Sequence, residues 1–496
     1  MVDLPSSLEL RAERLDALID PERVFADLYG ESAHAFWLDS SKRDERSRFS
    51  FMGDDDGPLA AVITYDVATR TVTVVRGGRT ETTHQTIFDY LRSETVRLRG
   101  LEADLPFDFD CGFAGYLGYE LKADCGGEGA YAAPGADAAF VFADRMIAFD
   151  HEEQRTYLIC LTDTAGNAAS EQWIATTTRR LLALAEEEAP AHARAAGGDA
   201  ASTGHVPVAF RLARSRDRYL EDIAVCKQRL LDGETYEVCL TNQIVADIDP
   251  APDPLTLYRT LRRVNPAPFA AFLRFGDTAV LSSSPERLLR VGRDRWAEAK
   301  PIKGTARRGA TPADDVRLAE QLRSSEKNRA ENLMITDLLR NDLGRVCQIG
   351  TVHVPHLMQV ETYETVHQLV STVRGLLRPG VEAPDAVRAC FPPGSMTGAP
   401  KQRTMTIIDS LEQAPRGVYS GAVGYFGVGG ACDLSVVIRT IVIEGGSTSI
   451  GVGGAIVIQS DPEEEFDEAL LKGAAPMRAI DPRADESALV RVLDSK

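Results

Sequence analysis

Apolar positions along this chain follow two textures. In the first third they come in short runs such as "AAVITY", "TVTVV", "AAFVFADRMIAF" and "TYLICLT", separated by turn residues. Such runs predict strands of an antiparallel sheet with few helices. From about Asp217 onward the periods mix. "DRYLEDIAVCKQRLLDGE" places apolar residues at helical spacing and stops near Gly233, whereas "AAFLRF", "TAVLSSS", "VVIRTIVI" and "TSIGVGGAIVIQ" read as strands. Helices and strands do not alternate strictly, so the pattern favours an α+β class over a doubly wound parallel sheet. No fixed-period repeat occurs. Between the two textures lies "AEEEAPAHARAAGGDAASTGHVP", Ala185 to Pro207, with little to bury. It predicts a linker or surface excursion separating an N-terminal region, 1–184, from a C-terminal region, 208–496.

Charge narrows the partners. The 496 residues include 55 Lys and Arg against 74 Asp and Glu, a formal charge of −19. That argues against non-specific binding to nucleic acid or an anionic membrane. A local cluster of cations can still reverse the sign inside one cleft. The eight cysteines are scattered, with no C-x-x-C pair and no zinc spacing, which suits reduced thiols in a reducing compartment. The N-terminal stretch has no apolar core of a signal peptide, and no apolar run reaches the ~18 residues of a membrane span. A soluble, cytoplasmic protein is the expectation.

Several segments carry candidate chemistry. In "DPEEEFDEALLKGAAPMRAI", Asp461 and Pro462 form a helix start. Glu465, Glu468 and Lys472 then share a helical face, either as a solvated charged face or as ligands for a hard divalent cation. A second helix begins at Thr311 and Pro312 and sets Glu331 on one stripe with Met334, Ile335 and Leu338. A carboxylate there needs a compensating arginine or a metal. Arg439 sits inside the β-type run "LSVVIRTIVI", where a guanidinium calls for an ion-pair partner or a bound carboxylate or phosphate. Gly451, Gly453 and Gly454 interrupt a strand pattern and let a ligand approach the backbone. "PPGSMTGAPKQR", with Ser395, is not a Walker motif, yet it makes a loop able to hold an anion. Lys303, in "PIKGTARRG", is either a surface charge at a turn or a held, reactive amine. Together these describe a cleft for a Mg²⁺-dependent enzyme acting on a small, anionic, oxygen-rich substrate.

With those segments in order, the chain closely resembles the chorismate-utilising enzymes, and within them the members that aminate chorismate at C4. The resemblance rests on "FWLDSSKRDERSRFSFMG", "CGFAGYLGYE", "GETYEVCLT", "SSSPERLLR", "PIKGT", "DLLRNDLGR", "FPPGSMTGAPK", "RGVYSGAVGYFG" and "GVGGAIVIQSDPEEEFDEALLK". It implies an interlocked α/β sandwich of two antiparallel sheets flanked by helices, with the active site between them. It implies Glu331 and Glu468 as Mg²⁺ ligands with Glu465 close by. Arg439, Tyr419, Ser395, Thr305, Lys472 and the backbone at Gly451, Gly453 and Gly454 would hold chorismate. Glu286 is implied as general acid/base, His367 as the histidine near the substrate ring, and Lys303 as a neutral nucleophile with a lowered pKa. Anthranilate-making members resemble "PIAGT" where this chain has Lys303. Water-using members carry a base lysine where this chain has Glu237, whose role stays open.

The resemblance further implies ammonia from a separate glutaminase subunit, since no glutaminase-type nucleophile turn occurs here. It implies a product for the p-aminobenzoate and folate branch. A tryptophan pocket near "WLDSS" and "NPAPF", with Phe269 as its aromatic wall, is a family-related expectation. The rivals are an anthranilate synthase component I and a non-catalytic paralogue binding chorismate or tryptophan.

Overall fold

The computed structural model describes residues 8–42, 47–101, 103–163, 167–186, 208–248, 252–363 and 366–484. Most of the 185–207 segment lies outside them. Two 12-stranded sheets, antiparallel in every pairing, are built from strands drawn from both sides of that segment. In the first, five strands from residues 8–163 join the remainder where His34–Asp39 pairs with Phe269–Phe275, Trp37 opposite Phe272. In the second, Gly112–Leu117 pairs with Ala422–Gly427. Gly115 and Gly424 face each other there, and a methyl group on either would strike the neighbouring backbone. The expected α+β sandwich of antiparallel sheets with helices is what forms. No helix among the described residues is long and apolar enough to cross a membrane.

Three stretches of chain, two of which read as continuous strands, are each divided between the sheets. Ala138–Ala143 belongs to the second sheet and Arg145–Asp150 to the first, with buried Asp144 at the corner. Thr278–Ser284 lies in the first sheet and Arg287–Val291 in the second, with Glu286 between them. Cys432–Val436 lies in the second and Thr440–Glu444 in the first. Arg439 is therefore not mid-strand, as the pattern suggested. It occupies the crossing itself, in a left-handed conformation with φ of 54°. A period of two reports which face of a strand is buried, but not which of two apolar sheets that strand has joined.

Helix boundaries follow their local signals closely. Arg216–Leu231 is capped by Ser215 and ends before Gly233, which takes a φ of 72°. Asp461 caps Pro462–Ile480, its carboxylate accepting the amides of Glu463 and Glu464. Thr311 caps as expected, but the long helix it opens is two helices, Pro312–Ser324 and Glu326–Gly344. The break falls at Ser325, whose hydroxyl accepts the Asn328 amide and restarts the helix.

Candidate active site

The two crossings that carry Glu286 and Arg439 lie side by side. The Ser284 hydroxyl donates to Val436 O (2.6 Å), and the Val436 amide donates to Glu286 O (2.9 Å). Where a chain leaves one sheet for the other, its side chains are released from the pleat and can enter the space between the sheets. Lys303 comes from the edge strand Ile302–Arg307 of the second sheet, and Glu237 opens strand Glu237–Asp247 of the first. They meet across the gap: Lys303 Nζ donates to Glu237 Oε1 at 2.6 Å and lies 4.0 Å from Glu331 Oε2. Glu237 is fully buried and its Oε2 has no hydrogen-bond partner.

This pairing corrects the expectation of a neutral lysine. Burial opposes the ammonium charge, but the carboxylates of Glu237 and Glu331 outweigh it, and the Lys303 pKa is raised above its ordinary value. Glu286 moves the other way in function. Burial pushes its carboxyl up to about 7, against the opposing hydrogen bond from Ser395 and the nearby charge of Lys303. It is thus poised to hold or give a proton near neutrality. Ser395, in the short turn Gly394–Met396, is brought to this acid, a contact the loop pattern did not suggest.

Three carboxylates line the same region, each facing a lysine. Glu331 is buried with Lys303 at 4.0 Å, Glu465 accepts from Lys327 at 3.0 Å and from Ser460 at 2.6 Å, and Glu468 pairs with Lys472 at 2.8 Å. Burial raises the Glu331 pKa, and no hydrogen bond to its carboxylate occurs among the described residues. Lys472 holds Glu468 below the usual carboxylate range despite partial burial, while donating to Gly453 O at 3.0 Å. Among the described residues, no three Asp, Glu, His or Cys side chains converge on one point. A magnesium ion needs only one or two carboxylates beside water and substrate oxygens. Glu331, buried and unbonded, and Glu468, half-exposed, suit it, whereas Glu465 is already committed to Ser460 and Lys327.

Arg439 donates to Lys472 O at 2.8 Å, and no carboxylate pairs with it among the described residues. Burial lowers its pKa, opposed by Tyr419 and Glu468. Tyr419 is buried and its ring lies flat on Gly451, where any Cβ would fall inside the ring. Gly453 is pressed against Leu240 O and Thr241 in the same way. At Gly454 the nearest atoms are Glu465 Oε2 and Lys472 Nζ, so its open side faces the site.

Two expected residues stand apart. Thr305 is exposed on the edge strand. His367 is buried with both ring nitrogens engaged, Nδ1 with the Thr362 hydroxyl and Nε2 with Asp315, each at 2.9 Å. Arg308, unassigned by its motif, clamps that same Asp315 through Nε and Nη2 at 2.8 and 2.7 Å. Lys327 is the member that pattern reading missed. It sits four residues before Glu331 on one helix, yet it pairs with Glu465 on another.

A cavity of about 990 Å³ lies elsewhere and contains none of Lys303, Glu331 or Arg439. Ser40, Pro268 and Phe269, from the segments expected to form a tryptophan pocket, line it. The Arg287 guanidinium lies 4.9 Å from the Phe269 ring centre and is held to Asp433 by two 2.8 Å bonds.

Known proteins resemble this chain in sequence and fold. A family model described as chorismate binding enzyme matches residues 34–478. An aminodeoxychorismate synthase of Streptomyces pristinaespiralis is 50% identical over 486 residues, covering 95% of this chain and 65% of that protein. The chain thus spans just under two thirds of that relative's length. An anthranilate synthase component 1 of Geobacillus stearothermophilus is 34% identical over 481 residues, covering 94% of this chain and 92% of that one. The solved anthranilate synthase component I from Streptococcus pneumoniae TIGR4 superposes with a TM-score of 0.69 at 27% identity, over 88% of this chain and 94% of its own. The match spans both sheets and every site segment described above: the chain belongs to the family of chorismate-binding enzymes.

Proposed function

We propose that the chain replaces the C4 hydroxyl of chorismate by ammonia, giving 4-amino-4-deoxychorismate. The observation that carries this reading is Lys303, set between the sheets against buried Glu237 and beside Glu331. The higher identity to an aminodeoxychorismate synthase than to an anthranilate synthase supports the C4 outcome.

Charge counting supports a divalent cation. Lys303, Lys327 and Lys472 pair with the carboxylates of Glu237, Glu331, Glu465 and Glu468, and Arg439 lies nearby without a carboxylate partner among the described residues, so four cations already stand beside four anions. A dianionic substrate entering that balanced site requires two further positive charges. Mg²⁺ held by Glu331 and Glu468 would supply them at the ring carboxylate.

The chain's own groups do the rest. Arg439 and the Tyr419 hydroxyl take the enolpyruvyl carboxylate. Lys303 passes a proton to Glu237 over 2.6 Å, and its freed amine adds to C2. The ring double bonds shift and the C4 hydroxyl leaves as water with the proton of Glu286. Ammonia then adds at C4 and expels the Lys303 amine from C2, which recovers its proton. Chorismate and ammonia become aminodeoxychorismate and water. Ammonia comes from a separate glutaminase subunit, and free ammonium replaces it in the test tube.

The test is a product mass. The chain incubated with chorismate, Mg²⁺ and an ammonium salt should yield a compound that retains the enolpyruvyl group. Anthranilate with release of pyruvate, or no consumption of chorismate, overturns the reading.

A further inference from the structure

Arg416 takes no part in the chemistry above, although it stands in the "RGVYSGAVGYFG" segment and is 7% exposed. Its five N–H donors are all used. Nε and Nη2 hold the two oxygens of Glu412 at 2.8 and 2.7 Å. Nη1 donates to Met396 O at 2.7 Å and to the Ser420 hydroxyl at 3.3 Å, and Nη2 also donates to Cys239 O at 2.9 Å. The guanidinium lies over the Tyr119 ring, 4.4 Å from its centre. Glu412 in turn accepts the amide and hydroxyl of Thr241, at 2.8 and 2.9 Å.

Each tethered segment carries a site residue. Met396 follows Ser395, which hydrogen-bonds Glu286. Cys239 lies two positions beyond Glu237 on one strand, and Ser420, with a φ of 66°, follows Tyr419. A buried ion pair is a poor source of net stability, because a well-packed apolar group often serves as well. What an apolar group cannot do is fix two backbone carbonyls and a serine hydroxyl, from three segments, at set angles in one plane. We propose that Arg416 is a positioning residue, a buried clasp that sets the mutual placement of Glu237, Ser395 and Tyr419 without touching substrate. The inference rests on the reaction proposed above.

Arg416→Lys keeps the charge but cannot reach Glu412, Met396, Cys239 and Ser420 together. The full chain is assayed with chorismate, Mg²⁺ and ammonium, with the folded fraction read by thermal denaturation. Misplacement of reacting groups by about 1 Å costs on the order of a hundredfold in rate. The expected result is a kcat per folded molecule lower by at least about thirtyfold, together with a chorismate KM raised at least about threefold through Tyr419. A purely structural role lowers the folded fraction and leaves both quantities alone; a kcat per folded molecule within threefold of the parent and an unchanged KM overturn the proposal. Should Arg416→Lys not fold, Glu412→Asp retains both charges and draws the guanidinium back by one methylene. It should show the same two changes at about fivefold in kcat, and parental values in the folded variant overturn the proposal equally. The parent's product, weighed in the same experiment, reports on the proposed reaction. The ratio of variant to parent turnover reports on the clasp, whichever product forms.

Discussion

Replacing Lys303 by methionine tests the central pair. Methionine fills nearly the same volume, so little of the effect comes from a cavity. Glu237 is fully buried and loses the only hydrogen-bond donor it has among the described residues, since its other oxygen has none there. Removing one partner of a buried pair typically costs about 3–5 kcal/mol. The structure adds an upper bound: the stranded carboxyl can take up a proton instead. Holding an ordinary glutamate neutral costs about 1.36 kcal/mol per pH unit above ~4.3, hence about 3.7 kcal/mol at pH 7 and about 1 kcal/mol at pH 5. The folded variant then binds one proton more than its unfolded chain, so its stability falls as pH rises. Urea unfolding of parent and variant in magnesium-free buffer at pH 5, 6 and 7 should show a difference growing by about 2–3 kcal/mol across that range. The double variant Lys303→Met, Glu237→Gln should recover most of the loss at pH 7. A cost independent of pH, or a double variant no more stable than the single one, refutes the buried pair.

Glu286→Gln should lower kcat by about 10²–10⁴-fold. In the parent, with the free-ammonia concentration held constant at each pH, activity should be full below and decline above about 7, the value to which burial raises Glu286; a profile flat from about 6 to 8.5 under that condition contradicts its role as general acid. Gly451→Ala forces the Tyr419 ring off the strand, so it should cost about 1–3 kcal/mol of stability and raise the chorismate KM, while an unchanged Tm and KM would remove Tyr419 from the site. Glu468→Gln should raise the magnesium concentration for half-maximal activity at least about tenfold, read by metal titration, with little change in Tm because the side chain is half-exposed.

Much of this protein is legible in its sequence because the relevant physics is local. Caps at Thr311 and Asp461, the glycine stop at Gly233 and the face shared by Glu468 and Lys472 all depend on residues within one helical turn. The ordered motifs name the family for the same reason: each is a short stretch whose residue types are fixed by what its backbone must do. Gly451 is one such case, since only a residue without a side chain fits beneath Tyr419.

What the sequence leaves undecided depends on partners far along the chain. Arg439 reads as a strand residue until the two sheets show the chain crossing there. Lys303 reads as either a surface charge or a held amine until Glu237, 66 positions away, meets it at 2.6 Å and favours its ammonium form. His367 is marked only by its motif, and the sequence does not show that Asp315, held by Arg308, occupies one of its nitrogens. Burial and apolar period are set by single residues and their neighbours. A charge, by contrast, responds to every other charge within several ångströms at low dielectric, and that neighbourhood exists only once the two sheets have closed on each other.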